Sequence, residues 1–156
     1  MPEQFEVDLQ RLSRTFDSLK KEVRYKSGRF ALRKAAQLVR DAARENASRL
    51  DDPITAANIS KNITERWSSR YYKATGDLMF RVGVMGGAGG RAKSEELASL
   101  PGGDTQHWRH LEFGTERTAA QPIMQPALRN NAQAATDVFV TQLDKGIERA
   151  LKAVTK

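Results

Sequence analysis

Two histidines and a glutamate near the middle of the sequence have side chains that could hold a metal ion. His107, His110 and Glu112 supply imidazole and carboxylate groups, which zinc accepts, and positions three apart meet on one face of a helix. A hydrolytic zinc site takes three protein ligands and keeps one position open. In an extended segment, however, His110 and Glu112 would lie on one side and Arg109 on the other, which leaves the third ligand open.

The same segment has a second interpretation without chemistry, and we favour it. Its large apolar side chains would tie the chain to the core, and two prolines would direct the final helix. Its Gly-Thr break would need either a positive φ or a tight exit from the preceding element. These residues are predicted to be structural anchors: Trp108, Phe113, Gly114, Pro122 and Pro126. The polar residues of the same region are predicted to face a partner: Arg109, Glu112 and Arg117.

Residues 87–94 come close to a phosphate-binding loop. The segment has the leading Gly87 and the Lys93-Ser94 pair, but Ala92 stands where the second glycine belongs. Pro101 also cuts short the helix that would carry the phosphate on its N-terminus. A flexible glycine-rich loop is therefore the better interpretation, in which Arg91 and Lys93 serve a partner, and we expect no cofactor and no metal.

Other routes to catalysis are weak in this sequence. It contains no cysteine and no Gly-x-Ser-x-Gly elbow. The adjacent Asp51 and Asp52 stand at a predicted helix end, where they are better explained as end residues than as an acid/base pair. The lack of cysteine is neutral to favourable for a reducing cytoplasm. We therefore predict a protein that is not an enzyme.

The charge is concentrated in one region. The net charge is +7, and residues 20–34 hold seven basic residues against Glu22 alone: Lys20, Lys21, Arg24, Lys26, Arg29, Arg33 and Lys34. Such a run is either the solvated face of a helix or a footprint for DNA or an acidic protein. Only Tyr25 and Phe30 interleave the cluster, so it lacks the aromatic platform of a single-strand binder. An acidic protein is the favoured partner, with Lys20, Lys21, Arg24 and Lys26 in the interface.

The apolar pattern predicts two N-terminal helices. Leu9, Leu12, Phe16, Leu19 and Val23 recur at steps of three and four, which predicts a first amphipathic helix over residues 8–23. An alanine-rich pattern restarts after Ser27, a predicted N-cap, and runs to about residue 49. Asp51-Asp52-Pro53 ends it, because the residue before proline is disfavoured in a helix.

A β-hairpin is predicted over residues 60–85. Ile63, Trp67 and Tyr71 share one face at even spacing, and residues 73–77 supply turn chemistry. A second alternating run follows, in which Leu78, Phe80, Val82 and Val84 alternate with Met79, Arg81, Gly83 and Met85. Residues 86–106 hold six glycines and predict a long, mobile loop.

A long helix after Pro126 closes the chain. Its apolar stripe is predicted as Leu128, Ala132, Ala135, Phe139, Leu143, Ile147, Leu151 and Val154. The sequence thus predicts an α+β fold in one domain, 1–156: two N-terminal helices, a small antiparallel sheet built on a hairpin, and a long C-terminal helix on one face. No apolar run approaches the ~20 residues of a membrane span, and no signal-peptide pattern is seen.

These motifs together resemble the small neck and tail-completion proteins of long-tailed phages, the group of lambda's tail completion protein Z. The resemblance rests on Glu112-Phe113-Gly114-Thr115, a Gln121-Pro122 step and the Pro126-Ala127-Leu128 helix start, in that order. It extends from about Ala31 through the alanine-rich helix and the Val82-Gly83-Val84 strand. The sequence departs from the group at residues 54–59 and in its long 86–106 segment.

The resemblance implies a structural protein of the virion that assembles in the host cytoplasm. It would complete the tail and help to join the tail to the head at the neck. It would catalyse no reaction and use no cofactor. It implies a homo-oligomeric ring whose neighbours are the tail terminator, the tail tube and the head-closure ring. The resemblance does not decide whether the protein also contacts packaged DNA. A nucleic-acid-binding module that uses residues 20–34 is the alternative.

Overall fold

Two long antiparallel helices form the framework of the chain in a computed structural model that describes residues 14, 17, 19–50, 58–85, 99–100, 102–103 and 105–155. Helix α1 is Gly28–Ser48 and helix α4 is Met124–Val154. Between them in sequence lie strand β1 (Ile63–Trp67), helix α2 (Ser69–Thr75), strand β2 (Phe80–Val84) and helix α3 (Trp108–Phe113). At one end of the pair Gly146 packs on Ser27. At the other end the Asn46 amide donates to the Ile123 carbonyl at 3.1 Å. The predicted closing helix is confirmed, and Pro126 lies in its first turn, where no helical N–H is lost.

The predicted break at Ser27 is wrong. The chain is already helical at residues 19–21, passes through a π-helical turn at Glu22–Ser27 and continues directly into α1. Ser27 has φ −70° and ψ −42° and makes no capping hydrogen bond, so it is an interior helical residue. A Cβ on Gly146 would lie 2.5 Å from the Ser27 Cβ, which shows that the serine is used for a close helix contact instead. Leu9, Leu12 and Phe16 lie outside the described residues.

The two predicted strands form, but their connection differs from a hairpin turn. Strand β1 is Ile63–Trp67, strand β2 is Phe80–Val84, and they pair antiparallel with Ile63 opposite Val84. Helix α2, Ser69–Thr75, follows β1, so Tyr71 belongs to a helix and not to the strand face. Gly76 ends α2 at φ +76°, a left-handed conformation that suits glycine. The predicted turn residues 73–77 therefore form the C-terminal end of α2, and they do not join the two strands directly.

The core lies where α1 is held between the sheet and α4. Alanines on α1 let both neighbours approach closely, and Ala31, Ala43 and Ala47 are fully buried. Ile59, Ile63 and Ile123 are the large side chains that fill the space between the layers. Over the residues that the structure describes, the architecture is α+β, as predicted, and is mostly helical with one two-stranded sheet.

The buried face of α4 differs from the predicted stripe. Leu128 is 59% exposed, and Leu151 and Val154 are also exposed, whereas Ala127 and Ala150 are buried. The reason is close packing: small residues, including Gly146, let α1 and the preceding helical turn touch the α4 backbone, and larger side chains flank that contact. None of the helices within the described ranges is long and apolar enough to cross a membrane.

The predicted loop at 86–106 is packed at its C-terminal end. Gly102, Gly103 and Thr105 are buried, and the Asn62 amide donates to the Gly102 carbonyl at 2.6 Å. The Thr105 hydroxyl donates to the Met85 carbonyl and accepts from Asn62. These residues therefore belong to the folded part, contrary to the prediction, while residues 86–98, 101 and 104 lie outside the described residues.

Candidate functional site

The segment that carries the sequence motif forms a short helix whose residues have unequal burial. Helix α3 is Trp108–Phe113, and Trp108 and Leu111 pack against the core. Phe113 is 67% exposed, so its predicted role as a core anchor is wrong. Its position explains this, because the buried face of so short a helix is taken by Trp108, Leu111 and Glu112. Of the two aromatic residues in the motif, only Trp108 packs against the core.

Glu112 is the acid of the motif, and it is 4% exposed. One carboxylate oxygen accepts from the backbone N–H groups of Ile123 at 2.6 Å and Met124 at 2.9 Å, and the other accepts from Gln125 at 3.0 Å. These are donors of the first turn of α4, which have no partner within the helix. The negative charge also suits the positive end of the helix dipole. Its predicted place on a partner surface is therefore corrected: Glu112 caps α4 from inside the protein.

Gly114 makes this capping possible. Its φ of +74° with ψ of 179° is open to glycine, and a Cβ there would lie 2.9 Å from both the Ala120 nitrogen and the Thr118 carbonyl oxygen. The chain then folds back, so that Gln121 N–H donates to the Leu111 carbonyl at 2.7 Å. The prediction of a positive φ at Gly114 is confirmed, and the Glu-Phe-Gly-Thr motif acts as a turn that returns the chain to its own cap.

The proposed metal ligands do not form a cluster. Across the ranges that the structure describes, no group of three histidine, cysteine or acidic side chains could hold a metal ion. Both oxygens of Glu112 already accept backbone hydrogen bonds. Arg109 lies exposed, 5.9 Å from the Trp108 ring centroid, and Arg117 is exposed in the turn that follows. Arg91 and Lys93 lie outside the described residues.

The basic cluster lies on the π-helical turn and the start of α1, and much of its charge is engaged. Arg24 contacts the Asp77 carboxylate at 3.7 Å, and Lys26 contacts Glu22 at 2.9 Å. The Arg29 guanidinium lies 4.6 Å above the Trp67 ring. All four of the predicted interface residues are exposed: Lys20, Lys21, Arg24 and Lys26.

An acidic residue that the sequence did not single out organises the inner face of the sheet. The Glu65 side chain is 7% exposed, and its carboxylate meets Arg40 at 2.7 Å and Arg33 at 3.5 Å. Burial opposes its ionisation, but hydrogen bonds from Arg40 and Gln37 outweigh burial and lower the pKa of Glu65 to about 2. The signal was present in the sequence, since Glu65 lies two residues from both Ile63 and Trp67 and therefore shares their inward face.

An aromatic cluster joins the basic helix to the sheet. Trp67 lies 5.4 Å from Phe80 and 5.6 Å from Tyr72, and Tyr25 contacts both Trp67 and Tyr72. Each of these rings is partly buried, so the cluster holds α2 and the strands against the start of α1. Its role is therefore in the fold, and the rings are not free to stack on bases.

The predicted interface residues fall at two opposite ends of the helix pair. The basic turn lies where Gly146 meets Ser27, whereas α3 and Glu112 lie at the start of α4, beside Asn46. The distance between these ends is about 30 Å along α1, at 1.5 Å per residue. The two sets of predicted interface residues therefore lie on separate parts of the surface.

Comparison with known proteins places the chain in a family. The family described as "Bacteriophage HK97-gp10, putative tail-component" matches residues 10–114, which is about two thirds of the chain and includes α1, both strands and α3. No curated protein and no solved structure matches the chain. The resemblance to phage neck and tail proteins drawn from the sequence is confirmed at the level of the family. The chain belongs to the HK97-gp10-like family of phage tail components.

Proposed function

We propose that this protein is a non-enzymatic structural protein of the virion that completes the tail and helps to join it to the head at the neck. It acts through protein-protein interfaces and forms a homo-oligomeric ring. Its neighbours are the tail terminator, the tail tube and the head-closure ring, and it assembles in the host cytoplasm. The family membership supports a structural role in the tail.

The observation that carries the joining role is the separation of two exposed basic surfaces. One surface is the helical turn with Lys20 and Lys21, and the other is the α3 region with Arg109 and Arg117. Since they lie at opposite ends of α1 and α4, about 30 Å apart, each surface can contact a different neighbour. A protein placed between two different structures needs such a pair of surfaces.

The motif itself supports a structural function. Its one buried acid, Glu112, is occupied by three backbone N–H groups, and a residue used in this way has no free oxygen for proton transfer. The motif therefore stabilises the start of α4 and presents the exposed Phe113 to the outside. An exposed aromatic beside arginines is typical of the centre of a protein interface.

The test is assembly of a phage that lacks this gene. We expect filled heads and separate tails to accumulate, and the wild-type gene supplied in trans to restore joined particles. Electron microscopy of the lysate counts the three kinds of particle. Normal joined particles without the protein would contradict the proposal, and loss of heads themselves would place its action earlier.

Binding to DNA is the second candidate, favoured by the exposed Lys20 and Lys21 at the N-terminal end of a basic helical face. The ion pairs of Arg24 and Lys26 and the stacking of Arg29 reduce the charge that is free to meet phosphate. DNA binding would show an affinity for duplex that falls steeply with salt, because released counterions drive it. Weak binding that does not depend on salt would leave protein as the partner.

A further inference from the structure

The outer edge of strand β2 is open for pairing. The Ser68 N–H donates to the Met79 carbonyl, and the Met85 N–H donates to the Asn62 carbonyl. In an antiparallel pair only every second residue of a strand bonds to its partner, so the N–H and C=O groups of Phe80, Val82 and Val84 point away from β1. Within the described ranges no hydrogen bond reaches them. The opposite edge is partly closed, since the Arg44 guanidinium donates to the Ile63 carbonyl at 3.0 Å.

An apolar groove of about 430 Å³ runs beside this open edge. Strand β2, helix α1 and the start of α4 line it, with Phe80, Val82, Leu32, Ala36, Met124 and Leu128 among its walls. Leu128 is 59% exposed, so the groove leaves apolar surface in water. A strand added to β2 would direct every second side chain into this groove.

The other face of the sheet carries uncompensated positive charge. Arg66 and Arg81 stand directly opposite one another, and both are exposed. Like charges in this position destabilise a sheet. Among the residues that the structure describes, neither arginine has a salt-bridge partner, and Arg66 contacts only the Met85 sulfur at 3.3 Å. An acidic side chain on an added strand would relieve the repulsion.

These three features specify the ligand: an extended segment in which apolar and acidic residues alternate. The sequence Phe5-Glu6-Val7-Asp8-Leu9 has this pattern, with three apolar side chains for the groove and two carboxylates for the arginine face. It lies outside the family match, which begins at residue 10. We propose that residues 5–9 of a second copy of this chain add to the open edge of β2 as a third strand, so that the helix predicted over residues 8–23 begins after Leu9 when the strand is bound.

A second copy is required by reach. Arg14 is helical, and Phe80 lies level with Arg29 and Phe30, with which it lines one cavity. Arg14, Asp17 and residues 19–30 are helical, and at 1.5 Å per residue Arg14 lies about 24 Å along the helix from Phe30. Five residues, the separation between Leu9 and Arg14, reach at most ~17 Å when fully extended. The segment therefore falls short of its own β2. A contact between two different surfaces of identical copies is heterologous, and it closes a ring when the rotation between neighbouring copies divides a full turn.

The inference rests on the proposed self-assembly and supplies its contact. Disulfide trapping tests it cleanly, because the natural chain has no cysteine. A tagged full-length Asp8→Cys or Glu6→Cys chain is mixed with an untagged full-length Arg81→Cys chain under mild oxidation. We expect a covalent heterodimer on a non-reducing gel, and whichever acidic position reacts reports the direction of the added strand.

Arg66→Cys is the matched control, since it is exposed on the same face but one strand further in. Its Cα would lie about 10 Å from the added strand, beyond the ~7 Å that a disulfide allows. Equal trapping at positions 66 and 81 would indicate random collision and overturn the proposal. In the Asp8→Cys/Arg81→Cys double variant, a disulfide that forms within one chain would show that the added strand comes from the same chain and not from a second copy.

Sedimentation velocity separates this inference from the proposed ring. We expect Val7→Lys to abolish self-association with unchanged melting, and Gln4→Lys, outside the alternating pattern, to leave it intact. Self-association that survives Val7→Lys and gives no trapping would overturn the strand contact and leave the ring. A wild-type chain that is monomeric at every concentration would overturn both.

Discussion

Glu112 ties two segments that are separate in sequence, and its removal should expose the cost of an uncapped helix. We expect Glu112→Ala to lower the free energy of unfolding by about 2–3 kcal/mol, because three backbone donors lose a charged acceptor in a buried place. Urea denaturation measures the loss. Glu116→Ala, an exposed acid in the next turn, should change stability by less than ~0.5 kcal/mol. Equal effects would contradict the capping role.

Glu65 makes stability depend on acid. Its pKa is about 2 in the folded protein against an ordinary 4.5, so its contribution is complete above pH 4.5 and is lost as pH falls toward 2. We expect the stability difference between wild type and Glu65→Gln to shrink across that window. Denaturation at a series of pH values checks this. A difference that stays constant from pH 6 to pH 2 would show that the charge of Glu65 contributes nothing.

The two aromatics of the motif should now behave differently. We expect Trp108→Ala to lower stability by about 3 kcal/mol, since the indole packs against the core. Phe113→Ala should change it by less than ~1 kcal/mol, because the ring is 67% exposed, while impairing assembly. Thermal melting compares the pair. Similar losses in both variants would restore Phe113 to the core.

At the level of elements, the contact of Gly146 with Ser27 sets how closely the long helices approach. A Cβ at position 146 would lie 2.5 Å from the Ser27 Cβ, so we expect Gly146→Ala to lower stability by about 1–3 kcal/mol despite its better helix propensity. Adding Ser27→Gly removes the clash, leaving the Ser27 Cα position 3.5 Å away. The double variant should therefore be more stable than Gly146→Ala alone. Additive losses would mean that the helices do not meet there.

Much of this arrangement was predictable from local chemistry, and the errors share one cause. Alternation found both strands, and Pro126 placed the start of α4, because those signals act within a few residues. Ser27 was misread as a cap because its role depends on Gly146, which is remote in sequence. Glu112 was assigned to a partner for the same reason, since its three donors come from a later element. Single-sequence patterns do not contain such pairings.

For the whole molecule, the two basic ends should recognise different structures. We expect Lys20→Glu/Lys21→Glu and Arg109→Glu/Arg117→Glu each to block joining, but to lose binding to different halves, one to purified heads and the other to purified tails. Co-sedimentation with each half measures this. The fold should survive in both variants, because all four side chains are exposed. If both double variants lost binding to the same half, the two basic ends would serve a single neighbour.

The hydrogen bond between Met85 and Thr105 has a consequence for how this protein tolerates a change of length. It clasps the entry and exit of residues 86–104 at one point, so the sheet and α3 are held whatever the length between them. Closing a loop costs only ~0.6 kcal/mol more for each doubling of its length. A change in the number of residues between Met85 and Thr105 should therefore alter the stability of the fold by only a few tenths of a kcal/mol to about 1 kcal/mol.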